Sequence, residues 1–570
     1  MPSNIDYETL LNIVVVAALA APHAFAAGSP SVSVPGVATV SLSSDLPFRN
    51  GSSGAYIWRA GDGPDAYLWD LQGWRGGDIH RFWWKTEGTD SRDGDREAEI
   101  QALYSRAITP FFNVQAGVRY DKAWCTSPLC CPSRASIATG RYPHQTGYWD
   151  NAIVYDGRVP SWMHRLRDAG HTVTAVGKLH FRSSEDDNGF SEEIEAMHLH
   201  EGKGAIKNLL RGYGEEPAKD DGSFWDLYMK RSGAGSTHYQ DYDRRISARA
   251  IEWLKAHGRQ THEKPWVLYV SYISPHPPFT VPQRLYDLYP EDRMPLPAGF
   301  RPRERPSHPA AEHLRGMDGV HDMTDEAALR RIAAGYFGLI THLDEQIGQV
   351  MKAAEDLGLL DTTRIAYTSD HGELFGAQGI FGKKTLYEGA IGVPLLLAGP
   401  GVPRGRVSQQ IVSHVDLFPT IVEGAGERMG VQGSEVSGIS LWPSAAGRDA
   451  ERTGFAEYHA HGSKAGAFAL REGDMKLIYH VGMPAQLFDL ASDRNESRDL
   501  AQDAKHREVV QRLEQKIRAI CDPEAVDARA KADQRAMVEK LGGKARVLGE
   551  SQILFTPPPG VSKEEAWAIR

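Results

Sequence analysis

CTSPLCCPSRASIATGRYPHQTG, residues 125–147, holds three of the chain's four cysteines within seven positions. Pro132 suits the first position of a helix and Gly140 suits a C-cap, so the spacing predicts a helix over Ser133–Thr139 with Cys130 at its amino end. Free N–H groups and the helix dipole favour negative charge at that end. The stretch therefore predicts chemistry on an anionic group beside Cys130, and a set of buried structural thiols is the alternative.

The sequence after about Gly117 has the pattern of an α/β protein. Short β-branched runs alternate with longer amphipathic stretches, which predicts a large, mostly parallel sheet flanked by helices. Predicted strands include His171–Val176, Trp266–Ile273 and Arg364–Ser369. In open sheets of this kind the site lies at the carboxyl ends of the strands. Three polar motifs follow these strands, namely GKLH (177–180), SPHPPF (274–279) and DHGE (370–373).

Two other regions differ from this pattern. After about residue 440, short strand-like runs precede a charged helix at Ala504–Ile520, which predicts a smaller antiparallel α+β domain with a helical tail over residues 441–570. The α/β domain is then expected over residues 1–440. Within it, residues 29–110 contain five of the thirteen tryptophans without sustained periodicity, so no fold is predicted there.

Composition excludes several classes of protein. The chain has 570 residues, 41% of them hydrophobic and 24% charged, so it can bury a large core. Lysine plus arginine number 64 against 74 aspartate plus glutamate, a formal net charge of −10 with no concentrated basic stretch, so no nucleic-acid partner is expected. Four cysteines exclude a disulfide scaffold.

The apolar run near the start of the chain, Ile13–Ala21, is too short to cross a bilayer, and no membrane association is expected. A buried strand beginning near Asn12 explains the run. Residues 1–10 contain no lysine or arginine, so the positive region of a signal peptide is missing and a cytoplasmic location is expected. A periplasmic or secreted protein is the alternative if residues 11–27 act as a signal peptide.

The segment Cys130–Arg134, followed by a short helix ending in Thr139-Gly140-Arg141, resembles the signature of the formylglycine-dependent sulfatases. In that family a separate formylglycine-generating enzyme oxidises the first cysteine to Cα-formylglycine. The resemblance implies an alkaline-phosphatase-like fold, a small-molecule sulfate monoester as substrate, and Cys130 as the precursor of the nucleophile. A hydrated aldehyde has two hydroxyls on one carbon, so one can attack sulfur and the other can later expel sulfate.

Further motifs occur in the family's chain order. The resemblance implies that Arg134 and Lys178 hold the nucleophile, that His180 acts as base, and that His276 and Lys383 assist the leaving oxygen. Lys384 is the adjacent alternative to Lys383. The phrases SPLCCPSR and GKLHF, together with Asp150 and Asn151, are similar to the choline-sulfatase-like and arylsulfatase branch, and this implies that Asn151 faces the substrate.

The same resemblance implies a divalent metal held by Asp370, His371 and the modified Cys130. Ca²⁺ is the expected ion because such sites are rich in oxygen, and the histidine makes Mn²⁺ the alternative. Sulfatases normally place one or two metal-binding aspartates directly after their first strand. Here Asn12–Val16 supplies the strand, but Ala17–Ala21 contains no carboxylate and the first acid after the strand is Asp45.

This departure leaves three hypotheses open. The chain is a sulfatase, a phosphonate or phosphate ester hydrolase of the same fold, or a non-catalytic homologue that lacks its metal. Acidic residues within residues 29–110 could replace the missing carboxylates, namely Asp62, Asp65, Asp90, Asp93 and Asp95. Neither the alcohol part of the substrate nor the oligomeric state is predicted, and a homo-oligomer is an open alternative.

Overall fold

A computed structural model describes the backbone of five strands between residues 12 and 106. It also describes residues 117–570, with gaps at 215–227, 261, 318–324, 430–435, 551–555, 563–564 and 566–570. The chain divides into two compact units, one made of Met1–Ala24 and Gln115–Arg570 and the other of Phe25–Val114. Among the described helices, none is long and apolar enough to cross a membrane.

The larger unit is built on a sheet of eight described strands in the order β14-β6-β13-β12-β1-β10-β7-β8. Strands β12 and β13 and strands β13 and β6 pair antiparallel, and the other neighbours pair parallel. The predicted mostly parallel α/β sheet is therefore confirmed. Its strands are β1 Asn12–Ala18, β6 Val118–Trp124, β7 Val173–Lys178, β8 Glu192–Met197, β10 Val267–Ser271, β12 Thr363–Ser369, β13 Leu395–Ala398 and β14 Arg406–Ser413.

Strand β1 lies in the middle of this sheet, as the apolar run IVVV predicts. It pairs with β10 on one side and β12 on the other, and its last residue, Ala18, is the register partner of Ser369. The carboxyl end of β1 therefore lies beside Asp370, the first residue after β12. The three residues that follow β1 in sequence, Leu19, Ala20 and Ala21, carry no carboxylate.

Helices cover the sheet. They are α1 Cys130–Thr139, α2 Pro143–Thr146, α3 Trp162–Asp168, α4 His238–His257, α5 Gln283–Tyr286, α6 Pro309–Met317, α7 Glu326–Asp356, α8 Glu388–Ile391, α9 Leu417–Gly424, α10 Trp442–Ala445, α11 Arg507–Ile520, α12 Pro523–Lys540 and α13 Lys544–Gly549. Short 3₁₀ turns lie at 200–202, 206–213, 291–293, 302–304, 360–362, 377–379, 414–416 and 504–506.

Two glycines of helix α7 let a neighbouring segment approach closely. A Cβ at Gly335 would lie 2.1 Å from the carbonyl oxygen of Phe279, and one at Gly338 would lie 2.7 Å from Val281 Cγ1. The segment that follows His276 therefore packs directly on α7. It contains β11 (Thr280–Val281), which pairs with β9 (Gly233–Ala234).

The C-terminal region carries a second, antiparallel sheet. Its described strands run in sequence order β15 Thr453–Tyr458, β16 Ala467–Glu472, β17 Met475–His480 and β18 Gln486–Asp489, and helix α11 packs on it. Strands β16–β18 match the predicted strand-like runs Ala467–Arg471, Met475–His480 and Gln486–Leu490, and α11 matches the predicted helix Ala504–Ile520, each to within a few residues, whereas β15 was not predicted. The domain boundary near residue 440 stays a prediction.

The smaller unit, for which the sequence predicts no fold, contains a four-stranded antiparallel sheet. Along β3, apolar and polar residues do not alternate strictly in AYLWDLQGWRG, so the period-2 signal of a strand is weak. The strands are β2 Gly54–Arg59, β3 Ala66–Gly76, β4 His80–Ser91 and β5 Arg96–Arg106. The side chains of Asp62, Asp65, Asp90, Asp93 and Asp95, proposed as replacement ligands, lie outside the described residues.

A buried histidine pair joins the segment after α5 to the C-terminal sheet. The rings of His308 and His480 lie 4.5 Å apart, and His308 Nε2 donates to the carbonyl oxygen of Pro484 at 2.9 Å. His480 Nε2 donates to Gln486 Oε1 at 3.2 Å. Burial, with the charge of His308 adding to it, lowers the pKa of His480 to about 3.

This pKa predicts an acid-sensitive contribution to stability. His480 stays neutral in the folded chain but takes up a proton in the unfolded chain below pH ~6.5, so stability present above pH 6.5 is lost as the pH falls towards 3. We expect the contribution to fall by about 2 kcal/mol between pH 6.5 and pH 5. Urea unfolding at both pH values measures it as the difference between wild type and His480→Gln. Equal pH dependence of the two proteins would contradict the assignment.

Candidate active site

Cys130 is the first residue of helix α1, whose ten residues are all buried. The helix begins three residues before the predicted Ser133, so Pro132 occupies the third helical position and not the first. Proline is tolerated there because N–H groups in the first turn have no partner within the helix. At the other end, Gly140 has φ 65° and its N–H donates to the carbonyl oxygen of Ser136, which confirms the predicted C-cap.

The thiol of Cys130 lies among cationic groups. Its Sγ is 3.2 Å from His371 Nε2 and 3.5 Å from Lys383 Nζ. Burial alone would raise the pKa of this thiol, but Lys383, Lys178 and His371 together hold the pKa of Cys130 well below its ordinary value. The structure thus places Cys130 where negative charge is stabilised, as the amino end of a helix predicts.

Arg134 connects helix α1 to three strand ends. Its Nε donates to Asp370 Oδ2 at 2.8 Å, and its Nη1 donates to the carbonyl oxygen of Lys178 at 2.8 Å and to Ser271 Oγ at 3.0 Å. Arginine and aspartate are both buried. Burial opposes ionisation of Asp370, yet His371 and Arg134 outweigh it and lower the pKa of that carboxyl. The pair fixes Asp370 and leaves its Oδ1 free of Arg134.

Lys178 and His180 follow the chain out of the sheet at β7. Strand β7 extends to Lys178, two residues beyond the predicted end at Val176. The buried Lys178 Nζ has no hydrogen-bond partner among the described residues, and burial lowers its pKa. Burial and the neighbouring Lys178 ammonium lower the pKa of His180 to about 4, so its imidazole is neutral near pH 7. Lys178 can bind an anion and His180 can accept a proton.

His276 lies after β10 in the turn SPHPPF. Its Nδ1 donates to the carbonyl oxygen of Pro277 at 2.9 Å, and burial together with the ammonium groups of Lys383 and Lys178 lowers its pKa well below the ordinary value. The backbone before it is held by Asp243, whose carboxylate accepts from the N–H groups of Ile273 at 2.9 Å and Ser274 at 3.3 Å.

Sequence reasoning missed Asp243 and His414. Asp243 is a buried acid inside helix α4, and the helix pattern alone does not distinguish it from a solvated acid. His414 directly follows β14, and its Nδ1 lies 3.0 Å from Ser133 Oγ, which also donates to the carbonyl oxygen of Asp370 at 2.5 Å. Its position at a strand end is the signal that could have revealed it.

The structure distinguishes the two adjacent lysines. Lys383 Nζ contacts Cys130, as described above, whereas the backbone N–H of Lys384 donates to the carbonyl oxygen of Pro128 at 3.3 Å. Lys384 lies near His461, whose pKa is lowered by burial first and then by Lys384 and Lys383. Of the two adjacent lysines, Lys383 is therefore the one whose side chain lies beside Cys130.

Asn151 lies at the amino end of helix α1. Its Oδ1 accepts from the backbone N–H of Cys131 at 3.1 Å. The neighbouring Asp150 is buried and its carboxylate accepts from Ala152, Ile153 and Gln534. Asn151 thus supports the helix that carries Cys130, and its contact with substrate stays a prediction.

Three groups could hold a metal ion. One ligand atom each from Cys130, Asp370 and His371 lies within 4.8 Å of the others, and these residues form a potential metal site within the described part of the chain. Asp370 Oδ1 is buried and has no hydrogen-bond partner there. A buried carboxylate oxygen without a partner is costly unless a cation binds it, so the residues present fit a divalent metal.

A family model described as sulfatase matches residues 99–427, more than half of the chain. The chain belongs to the sulfatase family. A model described as N-sulphoglucosamine sulphohydrolase, C-terminal, matches residues 376–522, which include strands β15–β18. The sequence-based assignment to the sulfatases, a family of sulfuric ester hydrolases, is confirmed.

Curated relatives agree with the family. A choline-sulfatase of Rhizobium meliloti (strain 1021) is 30% identical over 394 residues, covering 68% of this chain and 76% of the relative. An arylsulfatase K of Xenopus laevis is 28% identical over 445 residues, covering 74% of this chain and 79% of the relative. Both belong to the branch that the motifs around Cys130 and Lys178 indicate.

Solved structures agree with the fold. A phosphonate monoester hydrolase from Silicibacter pomeroyi superposes with a TM-score of 0.56 at 24% identity, covering 71% of this chain and 88% of the other. A 2-O GAG sulfatase superposes with a TM-score of 0.55 at 18% identity, covering 77% of this chain and 90% of the other. The predicted alkaline-phosphatase-like α/β fold is thereby confirmed.

Residues 29–110, for which the sequence predicts no fold, lie partly in the match to a different family model. A model described as copper resistance protein B precursor matches residues 57–140, and the sulfatase match begins only at residue 99. Strands β1–β4 therefore lie outside the sulfatase match. The sulfatase motifs of the chain likewise begin late, at about residue 117.

Proposed function

We propose that this chain hydrolyses a small-molecule sulfate monoester by S–O cleavage, through a formylglycine nucleophile derived from Cys130. The observation that carries the proposal is the position of Cys130, at the buried amino end of α1 and within 3.5 Å of both Lys383 Nζ and His371 Nε2. The names of the choline-sulfatase and arylsulfatase K relatives support sulfate as the group removed.

Formylglycine would supply, as its hydrate, one hydroxyl to attack sulfur and a second to expel sulfate afterwards. The residues of this chain then have separable tasks. Lys178, whose buried ammonium has no hydrogen-bond partner among the described residues, binds the sulfate oxygens. Arg134 fixes Asp370 and the carbonyl of Lys178, so it holds the strand ends in place around the nucleophile.

Proton transfer follows from the pKa values. His180, with a pKa of about 4, is neutral near pH 7 and can accept the proton that accompanies sulfate release. His276 has its pKa held well below neutrality, so it contacts the leaving oxygen as a neutral imidazole. Lys383 is the cation beside the nucleophile, and we assign it the protonation or charge stabilisation of the leaving oxygen.

Asp370, His371 and the converted residue 130 would hold the divalent metal, which would neutralise charge on the sulfate oxygens. We propose Ca²⁺, with Mn²⁺ as the alternative because His371 is a nitrogen donor. Only Asp370 contributes a carboxylate among the described residues, so we expect weak binding. A formylglycine-generating enzyme is the required maturation partner.

Mass spectrometry tests the first step. After co-expression with a formylglycine-generating enzyme, the tryptic peptide 123–134, which contains Cys125, Cys130 and Cys131, is alkylated and sequenced. We expect alkylation of Cys125 and Cys131 only, with the mass of formylglycine at position 130. Full alkylation of all three cysteines would overturn the proposed nucleophile.

A paired assay tests the substrate class. The converted protein, supplied with Ca²⁺ or Mn²⁺, is given an aryl sulfate and the corresponding aryl phosphonate, and kcat/KM is measured for each. We expect the sulfate to be the better substrate. Preference for the phosphonate would favour the phosphonate or phosphate ester hydrolase, and turnover of neither ester by fully converted protein would favour the non-catalytic homologue.

We also propose that the protein works in the cytoplasm. The position of β1 supports this, because cleavage of a signal peptide near residue 27 would remove the strand that pairs with both β10 and β12. Intact mass measurement of protein from the native host tests it. A mature chain beginning after residue 20 would contradict the proposal.

A further inference from the structure

The donor atoms around Cys130 before its conversion are of three different kinds. The thiol sulfur of Cys130, the imidazole nitrogen Nε2 of His371 and the carboxylate oxygen Oδ1 of Asp370 converge at one point of the site. Ca²⁺ prefers six to eight oxygen ligands, whereas sulfur and imidazole donors suit Zn²⁺. The chemistry of the unconverted site therefore differs from the oxygen-rich site of a calcium protein.

The distances fit a small tetrahedral ion. With Zn–S about 2.3 Å and Zn–N about 2.0 Å, tetrahedral ligation separates S and N by about 3.5 Å, and two light-atom ligands by about 3.4 Å. The observed separations are 3.2 Å between Cys130 Sγ and His371 Nε2 and 3.7 Å between His371 Nε2 and Asp370 Oδ1. Small side-chain movements would bring all three atoms onto one ion.

Surrounding hydrogen bonds already orient two of these donors. His371 Nδ1 donates to the carbonyl oxygen of Gly372 at 2.8 Å, which leaves Nε2, 3.2 Å from Cys130 Sγ, as the nitrogen that can bind an ion. Arg134 Nε holds Asp370 Oδ2 at 2.8 Å, which leaves the buried Oδ1 as the ligand atom. Partners of this kind are typical of zinc ligands.

The carboxyl end of β1 contributes to the selection of the metal. Ala18, the last residue of β1, pairs in register with Ser369, and the next three residues in sequence carry no carboxylate. Residues 19–21, the first to follow β1 in sequence, therefore offer no side-chain oxygen to an ion that needs many such ligands. Three protein ligands and one water are sufficient for a zinc ion.

We propose that the unconverted chain binds one Zn²⁺ through Cys130, His371 and Asp370, and that conversion of Cys130 removes the sulfur ligand and with it the preference for Zn²⁺. The metal held by the site then reports the modification state of residue 130. The sulfur binds the ion as a thiolate, any proton that it carries is released to water, and the ion competes with the Lys383 ammonium 3.5 Å from the sulfur. This inference concerns the unconverted protein and does not depend on hydrolysis of any ester.

Cobalt substitution gives a test that needs no activity. The full chain is produced without a formylglycine-generating enzyme, its unmodified Cys130 is verified by mass spectrometry, and the metal-free protein is titrated with Co²⁺ and, separately, with Zn²⁺. We expect one equivalent of Co²⁺ to give a thiolate-to-metal charge-transfer band with the strong visible bands of tetrahedral cobalt. Zn²⁺ should displace the Co²⁺ and remove those bands.

Variants assign the ligands. Cys130→Ser should abolish the charge-transfer band and weaken Zn²⁺ binding by more than about 100-fold. Changing a residue that only hydrogen-bonds to a metal ligand costs up to about 100-fold in affinity, so the loss of a ligand itself should cost more. Cys131→Ser is the matched control, since Cys131 is equally buried but is not one of the clustered ligands. Asp370→Asn should weaken binding while keeping the band.

Two outcomes would overturn the first half of the proposal, the binding of Zn²⁺ through Cys130. One is a wild-type protein that binds no Co²⁺ or binds it without the thiolate band, while circular dichroism shows it folded. The other is a band that persists in Cys130→Ser and disappears in Cys131→Ser. Converted protein that still retains Zn²⁺ over Ca²⁺ in competition would contradict the second half of the proposal.

Discussion

Cys130→Ala is expected to lower kcat/KM for an aryl sulfate by at least about 10⁴-fold, because it removes the only group that can become the proposed nucleophile. The residual rate would come from the cationic site alone. Lys178 and Lys383 would still bind sulfate, so we expect KM to change far less than kcat. Steady-state kinetics on converted wild type and on the variant measures both.

Cys131→Ala is the matched control for this prediction. Cys131 is also buried in helix α1, but it packs against Val154 and Leu199, and burial raises the pKa of its thiol whereas the pKa of Cys130 is lowered. We expect its kcat/KM to remain within about 10-fold of wild type once conversion at position 130 is verified. Equal losses in both variants would show that packing of α1, and not the nucleophile, had been measured.

The largest effect on stability is expected at Lys476. Its Nζ lies 3.0 Å from Glu388 Oε1 and 2.7 Å from Glu496 Oε1, and all three side chains are largely buried. Lys476→Met leaves two buried carboxylates without their cation. We expect the free energy of unfolding to fall by about 3–5 kcal/mol, as for other buried ion pairs that lose one partner. Urea unfolding followed by fluorescence measures the loss.

An ion pair with an exposed arginine provides the comparison. Arg284 and Glu345 form a pair in which the arginine side chain is 63% exposed. Arg284→Ala should change the free energy of unfolding by about 0–1 kcal/mol. If Lys476→Met were as mild as Arg284→Ala, the buried cluster would not be a stabilising element.

The convergence of the site could be predicted because its residues follow strands. Lys178, His276 and Asp370 are far apart in sequence but lie at or after the carboxyl ends of β7, β10 and β12, which are near neighbours in one sheet. Parallel pairing brings such ends to one edge. The motif pattern therefore indicated both the sheet and the side chains gathered at its edge.

Other features could not be predicted, for physical reasons. The ends of helices and strands depend on tertiary packing, so α1 begins at Cys130 and β7 extends to Lys178, against the predicted Ser133 and Val176. Asp243 acts through backbone N–H groups of Ile273 and Ser274, a contact with no sequence signature. Strands β2–β5 lack the strict alternation that identifies a half-buried strand.

The buried cluster around Lys476 has a consequence for how this enzyme can be divided. Glu388 follows Lys383 by five residues, and it is held by Lys476 of β17 and by Trp124 Nε1 of β6 at 3.3 Å. The loop that carries Lys383 to Cys130 is thus anchored to both sheets. Truncation before β15 would release that loop as well as the sheet, so the C-terminal region is an integral part of the catalytic apparatus and not a detachable module.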